Sequence, residues 1–414
     1  MADHPFDLES VRRQFPALNR THNGRPVIFF DGPAGSQVPQ SVADAVSRCL
    51  LETNANHGGP FATSRESDAI LDEAHRAGAD FLGASDPDEV SFGANMTTIT
   101  LGLSRALAKT WQPGDEILVT RLDHDANVTP WTLAARDAGV TVKHVEFDHA
   151  DCTLDIEDFE AKLTDRTRLV AVAYASNAAG TINPITEIVK KAHGVGALVF
   201  IDAVHFAPHG LIDVAELDCD FLGCSAYKFF GPHVGMLWGR RELLESLTAY
   251  KLRPSTNELP GKWMTGTQNH EGIAGVLAAI DYLADVGRAI NPADSRRESL
   301  QTAFAAIGEY ERELCHRLLA GLAELPDVCV HGITNLAQLD ERVPTVSFTH
   351  RNRAPLQIAE RLAERGIFVW PGNHYALPFT EALGLEPGGT LRVGLLHYNT
   401  AEEVDRLLAE LAQL

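Results

Sequence analysis

The sequence predicts an α/β protein with a large domain built on a mostly parallel sheet and a smaller C-terminal α+β domain. Between about residues 66 and 285, short apolar runs alternate with amphipathic stretches. Apolar runs of this kind are typical of strands buried on both faces of a parallel sheet, with helical crossovers between them. After about residue 285, a charged segment leads into one long amphipathic helix near 300–324.

Four apolar runs rich in Val, Ile and Ala are the predicted central strands. They are 116–120 (EILVT), 169–176 (LVAVAYAS), 197–204 (ALVFIDAV) and 221–227 (FLGCSAY), with helices predicted at 157–163 and 185–194. Ligands of open α/β sheets bind at the C-terminal ends of the strands, so functional residues are expected there.

The C-terminal part is predicted to mix both element types. Strand-like segments fall at 344–350, 367–372 and 391–399, with helices near 355–365 and at the C-terminus. The predicted division is a large domain at 21–285 and a small domain made of 1–20 and 286–414.

Charge and composition exclude several classes of function. Acidic residues outnumber basic ones by 56 to 35, and a net charge of -21 disfavours nucleic acid and anionic lipid as partners. No apolar stretch approaches the roughly 18 residues of a membrane helix, and MADHPFDLES is no secretory signal. We expect a cytoplasmic protein. The six cysteines show no CxxC pair, so no metal site is predicted.

Polar residues follow three of the predicted strands. Lys228 lies between an apolar strand and an aromatic–Gly–Pro turn, and Asp202 interrupts an otherwise apolar run. A buried carboxylate is costly unless it is paired, and the protonated pyridine nitrogen of pyridoxal 5'-phosphate (PLP) would be such a partner. Asn177, at the end of another strand, suits a hydrogen bond to the ring hydroxyl. The pattern predicts PLP, with Lys228 forming the Schiff base.

A phosphate site is predicted at the start of a helix. Thr97 and Thr98 begin an apolar-periodic segment after a turn, where free backbone N–H groups and the helix dipole favour an anion. Ser225, close to the lysine, strengthens this interpretation. His124 follows the strand 116–120 and either stacks on the cofactor ring or is an ordinary core histidine.

The ordered set of motifs resembles the class V aminotransferases, and most closely the group II cysteine desulfurases and selenocysteine lyases. The resemblance runs through nearly the whole chain. The residues that carry it are Met96-Thr97, His124, Asn177, Asp202, His205, Ser225, Lys228, Gly266-Thr267 and Arg392.

This resemblance implies roles for the residues around the cofactor ring. Lys228 corresponds to the Schiff-base lysine, which also serves as the base at Cα. Asp202 corresponds to the partner of the pyridine nitrogen and His124 to a ring-stacking histidine that moves protons. Asn177 and His205 fall where the family contacts the cofactor hydroxyl, although the family usually has glutamine at the second position.

The resemblance also implies a phosphate cup and a homodimer. Met96, Thr97 and Ser225 belong to the cup, and Tyr227 takes the place of a phosphate-binding histidine. Thr267 matches a threonine that reaches the phosphate of the neighbouring subunit. Arg392 matches the arginine that holds the substrate carboxylate, a task suited to a planar bidentate donor.

One stretch departs from the family pattern. The desulfurases carry Gly-His-His-Cys-Ala-x-Pro on a loop before the arginine, and its cysteine receives sulfur as a persulfide. Here the stretch is PGNHYALP (371–378), with Tyr375 in place of the cysteine. A phenol accepts no sulfane sulfur, so no persulfide is expected. His374 and Tyr375 would instead act as acid groups for a leaving sulfur, with His374 at the substrate.

The expected function is a PLP-dependent C–S lyase that acts by β-elimination on an amino acid bound to the cofactor as a Schiff base. An aminotransferase or an epimerase of the same family stays open as an alternative. An inactive PLP-fold scaffold is the alternative of another class, although it would not need a buried lysine–aspartate pair. A Rossmann-type NAD enzyme is disfavoured because no strand is followed by GxGxxG.

Overall fold

The computed structural model describes residues 5–414. The helices are α1 (Leu8–Arg13), α2 (Gln40–Glu52), α3 (Ala62–Leu82), α4 (Met96–Ala108), α5 (Thr129–Ala138), α6 (Ile156–Lys162), α7 (Ile185–Gly194), α8 (Val214–Leu217), α9 (Arg241–Ser246), α10 (His270–Ile290), α11 (Arg296–Ala323), α12 (Pro355–Glu364), α13 (Leu377–Ala382) and α14 (Ala401–Leu411).

The strands are β1 (Thr21–His22), β2 (Arg25–Pro26), β3 (Ile28–Phe29), β4 (Val90–Gly93), β5 (Glu116–Thr120), β6 (Thr141–Val145), β7 (Thr167–Ala173), β8 (Leu198–Asp202), β9 (Phe221–Ser225), β10 (Gly235–Gly239), β11 (Val328–His331), β12 (Thr345–His350), β13 (Ile367–Phe368), β14 (Trp370–Gly372) and β15 (Thr390–Gly394). Within the described range, no helix combines the length and the apolar character that crossing a membrane requires.

A seven-stranded sheet forms the centre of the molecule, in the order β4-β10-β9-β8-β7-β5-β6. Strand β10 runs antiparallel to both of its neighbours, and the other neighbouring pairs are parallel. The strands β5 and β9 are buried along their whole length, as their apolar sequences predict. The expected mostly parallel sheet is confirmed.

The sheet order brings the predicted site residues together. Strands β7, β8 and β9 are neighbours, with Ala173 opposite Asp202 and Asp202 opposite Gly223. The residues that follow these strands therefore meet at one edge of the sheet. The predicted strand 197–204 is longer than β8 because the chain turns at Asp202, whose side chain accepts a hydrogen bond from the Val204 N–H at 2.9 Å.

A second sheet has the antiparallel order β11-β12-β15-β14 and lies in the C-terminal part. The short strand β3 pairs with β13, and Asp31 forms a bridge with Gly394. The N-terminal segment 28–31 is thus attached to the C-terminal strands. The division into domains at residues 20/21 and 285/286 stays a prediction.

The long helix α11 begins at Arg296, ahead of the start near residue 300 that its apolar periodicity predicts. Ser295 forms a capping box with Glu298, in which each side chain bonds the backbone of the other residue. Such reciprocal caps satisfy N–H groups that have no intrahelical partner, so the helix extends to the cap. One face of α11 is buried, and it carries Glu311 into the interior.

Candidate active site

A cavity of about 450 Å³ opens at the C-terminal edge of the parallel strands, beside the N-terminus of α4. Nine of the ten predicted cofactor-binding residues line it: Met96, Thr97, His124, Asn177, Asp202, His205, Ser225, Tyr227 and Lys228. The cavity also includes His233, which was not predicted and whose ring stacks on Tyr227 with a centroid separation of 5.1 Å. The structure thus gathers residues that lie far apart in the sequence.

Lys228 lies in a single 3-10 turn directly after β9 and is buried. Its amine donates a hydrogen bond to the Pro33 carbonyl. Burial and, to a smaller extent, Arg392 lower the pKa of Lys228 to about 7, while Asp202 opposes the shift. A large part of this amine is therefore neutral near pH 7, as a nucleophile or a base requires.

Asp202 ends β8 as a buried carboxylate. Burial raises its pKa to about 7, and the nearby carboxylate of Asp123 adds to the increase. In the described part of the chain, no basic side chain lies within ion-pair distance of it. A buried carboxylate that faces a cavity without a cationic partner fits a positively charged ring nitrogen.

Asp123 was not predicted, although it directly precedes His124. It is fully buried, and the Asn127 amide donates to it at 2.6 Å. Burial raises the pKa of Asp123 to about 7, although the hydrogen bonds that Thr120 and Asn127 donate to it oppose the increase. In the sequence, Asp123 is one of two acidic residues in the segment 121–128. Without the fold, it cannot be distinguished from a solvated loop residue.

The predicted anion site falls at the N-terminus of α4. Ser225 Oγ accepts a hydrogen bond from the Met96 N–H at 3.0 Å, and the Asn95 side chain accepts from the Thr98 N–H at 2.8 Å. Thr97 lies between them and is exposed toward the cavity. Since N–H groups of a first helical turn have no intrahelical acceptor, Thr97 is placed to donate to a phosphate.

Tyr375 stacks on His124, which lines the cavity, although Tyr375 is not itself a lining residue. Their ring centroids are 5.5 Å apart and the ring planes differ by 20°. His124 Nδ1 accepts from the Ala126 N–H at 3.0 Å, and burial, followed by Lys228, lowers the pKa of His124 to about 4. His124 is therefore neutral at physiological pH. Unlike the half-buried His124, Tyr375 is 73% exposed.

The loop that carries Tyr375 is fixed through its backbone. His374 and Tyr375 both have φ of 57°, which is left-handed backbone that L side chains rarely adopt. Asn177 Nδ2 donates to the His374 carbonyl at 2.9 Å, and the Asp125 N–H donates to the Tyr375 carbonyl at 2.7 Å. These bonds compensate the conformational cost of two such residues in succession.

Arg392 and His374 lie beside the cavity and not on its wall. The Arg392 Nη1 donates to the Asn177 carbonyl at 2.8 Å, and the His374 ring pairs with Thr390 Oγ1 at 2.9 Å. Burial lowers the pKa of Arg392 to about 9, so the guanidinium remains a cation at neutral pH. Asn177, which does line the cavity, bonds to both residues.

Several buried polar atoms in this region have no partner among residues 5–414. They are Asn177 Oδ1, Arg392 Nε and His374 Nδ1. Unsatisfied buried polar groups are rare in native proteins, and Asn177, which carries one of them, lines the cavity while Arg392 and His374 lie behind it. A phenolic hydroxyl and a carboxylate would satisfy the amide oxygen and the guanidinium, which is the donor and acceptor set of PLP with an amino acid.

Thr267 is the one predicted cofactor contact that the single chain does not bring to this cavity. It lies in a separate surface depression of about 720 Å³, together with Pro260, Gly261 and His270. A role at the neighbouring subunit's site requires such a separation, so the placement leaves that prediction untested.

The buried lysine and aspartate at the strand ends, with the helix N-terminus and the arginine, form an arrangement that fits the PLP-dependent enzymes of fold type I. A family model described as Aminotransferase class-V matches residues 28–407. The chain therefore belongs to the class V aminotransferase family, whose members are PLP-dependent enzymes. The predicted fold class is confirmed.

Proteins similar to this chain include several cysteine desulfurases. An aminotransferase-like protein of Gibberella zeae is 35% identical, and the match covers 99% of this chain and 99% of that protein. A cysteine desulfurase of Pectobacterium atrosepticum is 30% identical, over 99% of this chain and 98% of that protein. The cysteine desulfurase of Thermococcus onnurineus has a TM-score of 0.88 at 28% identity, over 100% of this chain and 99% of the other. The Escherichia coli cysteine desulfurase CsdA gives 0.85 at 27% identity, over 99% and 98%. The predicted resemblance is confirmed.

Substituting Arg392→Ala is expected to raise KM for the amino acid about tenfold to a hundredfold, with a smaller change in kcat. If Arg392 holds the substrate carboxylate, as the family resemblance implies, the variant loses a charged hydrogen bond worth about 1.5–3 kcal/mol. Steady-state kinetics check this, with Arg392→Lys as the matched variant that keeps the charge and loses the bidentate fork. An unchanged KM in both variants would contradict a carboxylate site at Arg392.

Proposed function

We propose that this protein is a PLP-dependent C–S lyase that eliminates a sulfur leaving group from Cβ of an amino acid and carries no persulfide. The observation behind the proposal is Tyr375, which stands where the desulfurase pattern has its cysteine and stacks on His124, a residue of the cavity wall. When bound, the cofactor supplies an electron sink for the electrons released at Cα.

The distribution of thiols supports a mechanism without persulfide transfer. Among the described residues, no cysteine lines the cavity that holds Lys228. Five of the six cysteines are buried, and burial raises the pKa of Cys152, Cys219 and Cys224 far from the range of a reactive thiolate. The exposed one, Cys329, lies on β11 in the second sheet.

Each side chain then has a task that its environment suits. Lys228, with its lowered pKa, removes the Cα proton. Arg392 holds the substrate carboxylate, and Asp202 holds the positive ring nitrogen of the cofactor. Burial lowers the pKa of His374 to about 2, so this ring does not deliver a proton as a cation. We assign proton donation to the leaving sulfur to the phenol of Tyr375.

The test titrates the purified holoenzyme with cysteine, cystine and alanine, and assays pyruvate, ammonia and sulfide in the same samples while the visible spectrum is recorded. Pyruvate and ammonia from cystine are expected. An aminotransferase would instead lose its visible absorption band on adding the amino acid, regain the band on adding a keto acid, and form no pyruvate from cystine. That result would contradict the lyase.

Substituting Tyr375→Phe is expected to lower kcat on S-alkyl cysteines about a hundredfold, within the range of a lost general acid. Substrates whose sulfur leaves as a stable anion should be affected much less, because they need no proton. Trp370→Phe is the matched control, since Trp370 is a half-exposed aromatic on the adjacent strand β14. Equal decreases in kcat for both kinds of substrate would show that Tyr375 does not protonate the leaving sulfur.

We also propose a homodimer in which Thr267 reaches the neighbouring cofactor phosphate. The family resemblance and the distance of Thr267 from its own cavity support this. Mixing a Lys228→Ala subunit with a Thr267→Ala subunit is expected to produce dimers with one site lacking both residues and one intact site. Recovered activity on mixing supports the arrangement, and two inactive parents that stay inactive would contradict it.

A further inference from the structure

The segment 231–235 leads into β10 and passes close to the N-terminus of α4. Gly235, the first residue of β10, pairs with Gly93 on one side and with Ser225 on the other. A Cβ placed on Gly235 would lie 2.7 Å from the Met96 nitrogen, so only glycine allows this approach. The start of β10 therefore lies directly against the predicted anion site.

His233 faces Tyr227 where the pairing of β9 with β10 continues beyond the strand ends. The Ala226 N–H donates to the Val234 carbonyl at 2.8 Å, which brings His233 opposite Tyr227. The two rings stack with their centroids 5.1 Å apart and their planes 13° apart. Both residues line the active-site cavity. The backbone pairing thus fixes a stacked phenol–imidazole pair in the cavity wall.

The polar atoms of this pair are free to bind a ligand. Within residues 5–414, neither the Tyr227 hydroxyl nor the His233 ring makes a hydrogen bond. Tyr227 is half-buried and His233 is exposed. A phenolic O–H and an imidazole N–H are both hydrogen-bond donors. The pair therefore offers two unused donors at the wall of the cavity.

The rest of the predicted phosphate cup has only neutral side chains. Among the described residues that line the cavity, Lys228 is the one lysine or arginine, and it is assigned to the Schiff base. Burial lowers the pKa of both His124 and His205, so these two rings are neutral at pH 7. A phosphate monoester carries a charge of about -1.5 to -2 at pH 7. His233 is the remaining lining residue that can become a cation.

The pair also adjoins the lysine that joins the cofactor. The Lys228 Nζ is 5.1 Å from the centroid of the Tyr227 ring. In PLP, the aldehyde that reacts with a lysine and the arm that carries the phosphate are attached to adjacent ring carbons. Donors beside the lysine amine are therefore suited to contact the phosphate.

We propose that His233 binds the cofactor phosphate, and that its pairing with Tyr227 takes the place of the single histidine that the related family has at position 227. His233 donates a ring N–H to a phosphate oxygen. Tyr227 holds that ring by stacking and donates its own hydroxyl. An imidazole can carry the positive charge that a phenol cannot supply. The inference rests on the PLP chemistry of the proposed function, but not on which reaction follows.

The experiment compares the binding of PLP and of pyridoxal, which lacks the phosphate, to the cofactor-free full chain. Titration of the visible band gives the two Kd values. His233→Ala is expected to raise the Kd of PLP about tenfold to a hundredfold, as for a lost hydrogen bond to a charged group, and that of pyridoxal less than about threefold. Equal increases for both compounds, or an unchanged Kd of PLP, would overturn the proposal.

His149→Ala is the matched control. His149 is an exposed histidine whose ring lies against Phe147, with centroids 5.0 Å apart, and it is not part of the cavity wall. Its replacement should leave both Kd values unchanged. His233→Gln keeps a side-chain N–H donor and is expected to bind PLP more tightly than His233→Ala. Circular dichroism and thermal melting confirm that each variant is folded.

Returning a histidine to position 227 tests the exchange of roles. Adding Tyr227→His to the His233→Ala variant should lower the Kd of PLP again, because an imidazole then replaces the phenol. Tyr227→Phe, which keeps the ring and loses the hydroxyl, should weaken PLP binding less than His233→Ala does. A folded double variant that binds PLP no better than His233→Ala would contradict the exchange.

A further readout needs no turnover. In ³¹P NMR spectra of the holoenzyme, the resonance of bound PLP is expected to move in His233→Ala and to stay in place in His149→Ala. A phosphorus resonance that ignores His233 would overturn the proposal. If cystine yields no pyruvate while the PLP and pyridoxal affinities diverge as expected, the lyase assignment fails and the phosphate assignment stands. A wild-type chain that binds neither compound would overturn both.

Discussion

Substituting Lys228→Ala is expected to abolish turnover, with a loss of about 10⁴-fold or more, at the upper end for a positioned general base. The amine is buried at a strand end, its pKa is lowered to about 7, and it donates a hydrogen bond to the Pro33 carbonyl. Among the described residues that line the cavity, no other side chain carries an amine. Initial rates and the visible spectrum of the purified variant check both the catalytic and the cofactor-binding role.

Lys262→Ala is the matched control for this experiment. Lys262 is also buried, burial lowers its pKa, and its amine donates to the Glu245 carbonyl at 2.6 Å. It lies outside the active-site cavity, so its replacement should leave the visible band in place. A band that survives in Lys228→Ala and disappears in Lys262→Ala would reverse the assignment.

Substituting Asp202→Asn is expected to lower kcat/KM by roughly 10²- to 10⁴-fold. Removing one partner of a buried charge pair costs about 3–5 kcal/mol, and each 1.36 kcal/mol is tenfold in rate. The amide neither carries the negative charge nor holds a proton on the ring nitrogen. Steady-state rates and the dissociation constant of the cofactor measure the effect. A rate within threefold of the wild type would show that the carboxylate does not face the ring nitrogen.

In the absence of cofactor, the Asp202→Asn variant should be more stable than the wild-type protein. The pKa of Asp202 rises from 3.8 to about 7 on folding, so the folded state binds the proton more tightly. This stabilising contribution is present below about pH 4 and is lost as pH rises toward 7. The amide that replaces the carboxylate has no charge to bury. The Tm of the cofactor-free variant should therefore exceed that of the wild type at pH 7–8 and approach it near pH 4.

Asp123→Asn separates the two effects of Asp202. Its carboxyl is also buried, with a pKa of about 7, but it is hydrogen-bonded by Asn127 and does not line the cavity. The Asp123→Asn variant should also be more stable than the wild type at neutral pH, and its activity should fall less than that of Asp202→Asn. Differential scanning calorimetry of both variants, with and without PLP, decides between the two patterns.

The sequence predicted the site best where the chemistry follows directly after a strand. Asn177, Asp202 and Lys228 each follow an apolar run, and adjacent parallel strands carry them to one cavity. Glu311 had no such signal, because a glutamate in an amphipathic helix usually faces solvent; only the packing of α11 against the turns after β8 buries it. The stacking of Tyr375 on His124 depends on two left-handed residues that no periodicity reveals.

The loop at residues 373–376 also bears on how this protein could diversify. Carbonyl groups of His374 and Tyr375 hold it in place, and every residue type has a carbonyl. The phenol itself makes no hydrogen bond to the rest of the described chain, and it is mostly exposed. A side chain that tolerates the left-handed backbone at position 375 should therefore replace the phenol beside His124 while the loop keeps its two backbone hydrogen bonds.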